Sequence, residues 1–141
     1  MNTLLVSIFG LFALANHPSA SISAEEQVTQ CVKQFVKGAD QQNQGKIAAV
    51  LHDHFRVMLN PGDGDIQSIS KDQYLSLIEE NKIGGKPRAV SIEQVDVYGS
   101  KTANVKAQIK SEKMTFYSYY SLMKAEEEWR IVQDLVYVTP N

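Results

Sequence analysis

Apolar residues recur at Val28, Cys31, Val32, Phe35, Val36 and Ala39, intervals of three and four that put them on one face of a helix. Ser23 with Glu26 three residues later has the capping-box form that opens such a helix. A polar break, DQQNQG, leads to a short second helix over Lys46 to Leu51, closed by HDHF before a strand over Phe55 to Leu59. NPGDGD, from Asn60 to Asp65, then turns the chain as a solvated loop. Ser70 and Gln73 make a second capping box, followed by Tyr74, Leu75, Leu77 and Ile78 on one side of a third helix that stops by Gly84 and Gly85.

Beyond those glycines the period falls to two. Arg88 to Tyr98, Thr102 to Ser111, Met114 to Lys124 and Trp129 to Val138 read as strands of an antiparallel meander with short turns. Ala103, Val105, Ala107 and Ile109 alternate with polar residues, so that strand has one wet face. The next is apolar in both phases, with Phe116, Tyr120 and Leu122 on one side and Tyr117, Tyr119 and Met123 on the other. Both faces therefore need a cover. Helices supply one, and a second copy of the chain is expected on the other, giving a homodimer through the sheet. In the last strand, strict alternation groups Gln133 with Trp129, Ile131, Leu135 and Tyr137, and Asp134 with Arg130, Val132 and Val136.

At 141 residues the chain is the size of one domain with a single core. A net charge of -2, with no basic cluster, disfavours nucleic acid and anionic membranes as partners. Leu4 to Ala15 is an uncharged apolar run, shorter than the roughly 20 residues of a membrane span. It is expected to be a secretory signal peptide with a short leader over 1–20, cleaved after Ala15, Ala20 or Ala24, which leaves one domain over 21–141 in the periplasm or secreted, with no span after processing. The lone cysteine, Cys31, sits on the first helix's apolar stripe and reads as core.

The ending YYSLMKAEEEWRIVQDLVYV, Tyr119 to Val138, resembles the closing hairpin of the putative lumazine-binding family, within the nuclear transport factor 2-like superfamily. LHDHFRVML, Leu51 to Leu59, resembles another segment of that family. Ser118 stands where the family often has Asp, and Glu-Glu and Gln133-Asp134 replace its usual Asp-Gly turn and Asn-Lys pair. The resemblance implies an α+β, cone-like fold, three N-terminal helices packed on a curved, mainly antiparallel sheet, with a pocket between them. Such pockets serve isomerases, dehydratases, cyclases and non-catalytic binders alike, so fold does not choose among them.

His52 matches a recurrent family histidine and is a candidate hydrogen-bonding group or proton carrier. His52 and His54 lack a third ligand nearby, and no metal site is expected. Asp134, in an otherwise apolar strand, would have a raised pKa if buried and suit general base work; the alternative is a solvent-facing carboxylate or a pair with Arg130. Tyr74, Tyr117, Tyr119, Trp129 and Gln133 complete, with His52, the expected ligand-contacting set. No phosphate-cradling loop or nucleophile elbow is present, and no cofactor is expected. The leading expectation is non-catalytic binding of a small planar or apolar molecule. The alternatives are an isomerase, dehydratase or cyclase using His52 or Asp134, and a structural homodimeric module.

Overall fold

The computed structural model describes residues 20–62 and 64–141; the expected signal peptide lies outside the described residues up to position 19. The order is α1 (Ala24–Asp40), α2 (Gln44–Ala48), β1 (Leu51–Leu59), β2 (Gln67–Ser70), α3 (Lys71–Glu79), β3 (Ala89–Tyr98), β4 (Thr102–Lys110), β5 (Met114–Ala125) and β6 (Glu128–Pro140). The six strands form one sheet in the order β2-β1-β6-β5-β4-β3, antiparallel throughout except where β1 runs parallel to β6. This is the expected α+β arrangement, helices on one face of a mainly antiparallel sheet.

Local chemistry accounts for the helices. Ser23 Oγ accepts from the Glu26 amide at the start of α1, without the reciprocal Glu26 bond. At α3 both halves of the capping box close: Ser70 Oγ accepts from the Gln73 amide, and Gln73 Oε1 accepts from the Ser70 amide. The second helix ends earlier than the sequence suggests. Leu51 already opens β1, paired with Ile131 of β6, and His52 to Phe55 continue the strand through an irregular stretch before the parallel register resumes with Arg56 opposite Gln133; the five-residue α2 has too little helical tendency to extend into it. β2, unforeseen in the sequence, is held as a short edge strand by antiparallel pairing to β1.

Val28, Val32, Phe35 and Val36 of α1 pack on the inner sheet face against Phe55, Val105, Tyr120, Leu122 and Ile131, all nearly inaccessible. Phe35 stands at the centre, with ring centroids 5.6 Å from Phe55, 5.4 Å from Tyr74 and 6.0 Å from Tyr120. Cys31 is buried in this core, and burial pushes its thiol up to about 12, so it stays an un-ionised packing group.

One irregularity decides the site. Between β5 and β6 the register passes from Ser121 opposite Gln133 to Leu122 opposite Ile131, leaving Val132 as an extra residue in a β-bulge. Strict alternation separates Ile131 from Asp134. The bulge restores them to the same face, so Trp129 and Ile131 enter the core and Asp134, three residues on, is also buried.

Candidate functional site

Towards the ends of β5 and β6 that carry Met114 and Val138, the helices no longer fill the inner face, and a cavity of about 730 Å³ remains. Phe35, Val36 and Ala39 of α1, Tyr74 of α3, Val57 and Leu59 of β1, Ile109 of β4, and Phe116, Val136 and Val138 give it apolar walls. Ser118, Tyr120 and Asp134 form its buried end. Exposed Gly84, Lys86, Pro87, Glu112 and Lys113 form its mouth, supplied by the α3–β3 segment and the β4–β5 turn.

The buried end is polar and under-satisfied. Asp134 lies opposite Tyr120 and diagonal to Ser118 on the same face. Asp134 Oδ1 and Ser118 Oγ are both enclosed without a hydrogen-bond partner among the described residues. Desolvation pushes the Asp134 carboxyl up to about 7; nearby Ser118 and Arg88 pull the other way, but Ser118 closes no hydrogen bond of normal geometry. Burial likewise raises the Tyr74 and Tyr120 hydroxyls, with the Asp134 charge adding to it.

Arg88 ties the mouth to α1. Its Nε donates to Asp40 Oδ1 at 2.6 Å, its amide to Asp40 Oδ2 at 3.0 Å and its Nη2 to the Val36 carbonyl at 3.3 Å. The guanidinium lies 5.4 Å from the Phe116 ring centroid. Gly85 donates to the Ala39 carbonyl, and Gln42 Nε2 donates to the Ile83 carbonyl.

Of the residues singled out from sequence, the fold brings Tyr74 and Asp134 to this cavity. The other candidates lie off its wall. His52 is on β1, its ring stacked on His54 at 5.1 Å and its Nδ1 accepting from the His54 amide. Trp129 packs in the core and donates to Gln27 Oε1. Tyr117 and Tyr119 point from the opposite sheet face, 44% and 52% exposed, and Gln133 is on that face opposite Ser121. Asp134 makes no pair with Arg130, which bonds Glu128 and the Ala49 carbonyl instead. Sequence reasoning missed Ser118 and Arg88 as wall residues. Ser118 shares the phase of Phe116 and Tyr120, a signal that was present; Arg88 depends on its long-range partner Asp40 and left none.

Among the described residues no group of three or more His, Cys, Asp or Glu is gathered as for a metal, and no helix is long and apolar enough to cross a membrane.

The sequence pattern of the putative lumazine-binding family matches residues 23–137, which spans every helix among the described residues and nearly all of the sheet. The chain belongs to that family. No curated protein matches it significantly. Solved structures similar in fold include an NTF2-like protein of unknown function from Silicibacter pomeroyi, 17% identical, TM-score 0.70, with 81% of this chain and 94% of that one covered. A ketosteroid isomerase-like protein from Erwinia carotovora atroseptica is 13% identical, TM-score 0.66, covering 79% and 93%. A scytalone dehydratase-type protein from Novosphingobium aromaticivorans is 14% identical, TM-score 0.59, covering 82% and 86%. At such identities the likeness establishes the nuclear transport factor 2-like fold, and chemistry has to be argued from this chain's own residues.

Proposed function

We propose that the chain is an exported small-molecule-binding protein whose ligand occupies the cavity between the helices and the sheet. The observation that carries this is the unpartnered Asp134–Ser118 pair at the end of an otherwise apolar cavity of about 730 Å³. A buried polar group without a partner costs about 1–3 kcal/mol, so a ligand offering a polar atom there gains what the protein alone forgoes. The volume falls in the range that encloses drug-sized molecules. Native mass spectrometry on protein purified gently from its host should show a species that loses a small mass on denaturation. Val136→Phe, which pushes a ring into the cavity, should abolish that extra mass while the protein stays folded. An equal extra mass on Val136→Phe would place the ligand elsewhere.

A second reading has its own support. A carboxyl titrating near 7 in a desolvated pocket is matched to proton transfer at neutral pH, as an isomerase, dehydratase or cyclase requires. On that reading Asp134→Asn lowers turnover of a substrate by at least about a hundredfold with little change in its binding. Unchanged turnover would rule Asp134 out as the base.

Export is supported by the uncharged apolar run Leu4 to Ala15. Processing after Ala15 or Ala20 would keep Ser23, the N-cap of α1. The homodimer is supported by the outer face of β5 and β6. Tyr117, Tyr119, Met123, Leu135 and Tyr137 are all exposed there, with the Tyr117 and Tyr137 rings stacked at 6.1 Å. Leu135→Lys should convert a dimer to a monomer in light scattering; a wild-type monomer at the same concentration would count against a sheet-to-sheet dimer.

A further inference from the structure

The two ends of the cavity differ in charge, and the difference specifies a ligand. At the buried end stand Asp134 and Ser118, 7% and 2% exposed, needing a polar partner. At the mouth stand Lys86 and Lys113, neither of which makes an ion pair among the described residues. Arg88 is nearby, its charge offset by Asp40 while its Nη1 makes no hydrogen bond among the described residues. Glu112 is the opposing carboxylate at this rim, which leaves the mouth positive by one charge. Between the ends the wall is apolar: Val57, Leu59, Ile109, Phe116, Val136 and Val138.

The length of the apolar wall that separates the ends follows from the strand. Asp134 and Val138 share a face four residues apart on β6, so at a strand rise of about 3.3 Å per residue they are separated by about 13 Å. Resting on the binding reading above, we infer that the ligand is an amphipathic organic acid of two- or three-ring length. Its hydroxyl lies against Asp134 and Ser118, its apolar body along Phe116 and Val136, and its carboxylate at Lys86 and Lys113. The reverse orientation would set two carboxylates together in the desolvated end, where the second cannot shed its charge cheaply. A ligand with a cationic head at the mouth would face Lys86 and Lys113 without recompense.

The test uses rigid probes of matched length. At pH 8, isothermal titration compares the hydroxybiphenylcarboxylic acid substituted at its two para ends with biphenyl-para-carboxylic acid, which lacks the hydroxyl, and para-phenylphenol, which lacks the carboxylate. The bifunctional acid should bind at least about fivefold tighter than para-phenylphenol, the effect of two partly exposed ion pairs. The double substitution Lys86→Gln and Lys113→Gln should remove that advantage and leave para-phenylphenol binding unchanged. Ser118→Ala should cost the bifunctional acid about fivefold and spare biphenyl-para-carboxylic acid, reading out the buried end alone. Thermal melting of each variant without probe confirms that it is folded. Equal affinity for the acid and para-phenylphenol, unaffected by the lysine substitutions, would overturn the inference while leaving the binding reading intact. Failure of all three probes to bind would also overturn the inference, while the binding reading stands or falls separately on the retained mass and its response to Val136→Phe.

Discussion

Asp134→Asn is expected to flatten the pH dependence of stability and to make the protein more stable than wild type at pH 8. Desolvation raises the Asp134 carboxyl from 3.8 to about 7, against smaller opposing effects of Ser118 and Arg88. A raised acid holds its proton more tightly folded than unfolded. The folded state therefore has its full advantage below 3.8, loses it progressively as pH rises towards 7, and has lost all of it above that value. The difference amounts to about 4 kcal/mol, since each tenfold change in proton affinity is worth about 1.4 kcal/mol. Asparagine removes the titration. Chemical denaturation between pH 4 and pH 8 should show the wild type losing stability across this range and the variant nearly level, the two closest at the acid end. An unchanged wild-type slope in Asp134→Asn would mean that Asp134 is ionised and solvated in the native protein, and the polar end of the cavity would lose its basis. Bound ligand changes the outcome in a diagnostic way: a donor that satisfies the carboxylate lowers its pKa and returns stability above neutrality.

Gly84→Ala should be the most damaging of the conservative changes near the mouth, destabilising the protein by about 3 kcal/mol or more. Gly84 has φ of 75°, in the left-handed region that costs a residue with a side chain about 1–2 kcal/mol. A Cβ there would also run into the Ala39 carbonyl oxygen, backbone that α1 holds in place. That same carbonyl accepts the Gly85 amide, so the clash pushes apart the contact that ties the mouth segment to α1. Gly85→Ala is the matched control. Its φ of 80° is equally left-handed, but its Cβ would meet only the flexible end of Gln42, at 3.0 Å. The cost there should be about 1–2 kcal/mol. Melting curves of the two variants decide it: equal losses would show that the close approach to Ala39 is not what fixes the segment. Because Ile83 to Arg88 contributes to the cavity wall, ligand retention should fall with Gly84→Ala more than with Gly85→Ala.

Much of the architecture was legible along the chain because each element obeys a local rule. The stripe from Val28 to Ala39 is the buried face of α1, and the Ser70–Gln73 capping box is closed. The meander runs Ala89–Tyr98, Thr102–Lys110, Met114–Ala125 and Glu128–Pro140, within a few residues of the alternation pattern. The two-sided apolar character of Met114 to Lys124 reflects a strand with the core on one face and an exposed apolar patch on the other. Periodicity reports which face of an element is apolar, and that is a property of the sequence alone.

The site was legible only in part. Tyr74 and Asp134 could be named from residue type and setting, whereas His52, Tyr117, Tyr119, Trp129 and Gln133 shared the chemistry of pocket residues without sharing a place. Which of two faces lines a cavity depends on where helices pack, and Tyr117 and Phe116, adjacent in sequence, went to opposite sides. Asp134 is the sharpest case. A single extra residue, Val132, reverses the phase of β6 so that a carboxylate which alternation sets apart from Ile131 joins it on the inner face. A bulge is settled by the register of two neighbouring strands and carries no local signature in the chain. The sequence by itself determined the long helices α1 and α3, the closing meander, their order and the family, while β2 and the early start of β1 came from strand pairing. Tertiary structure alone decided that Asp134 and Ser118 meet at the closed end of an apolar cavity, because burial and pairing are set by residues distant along the chain.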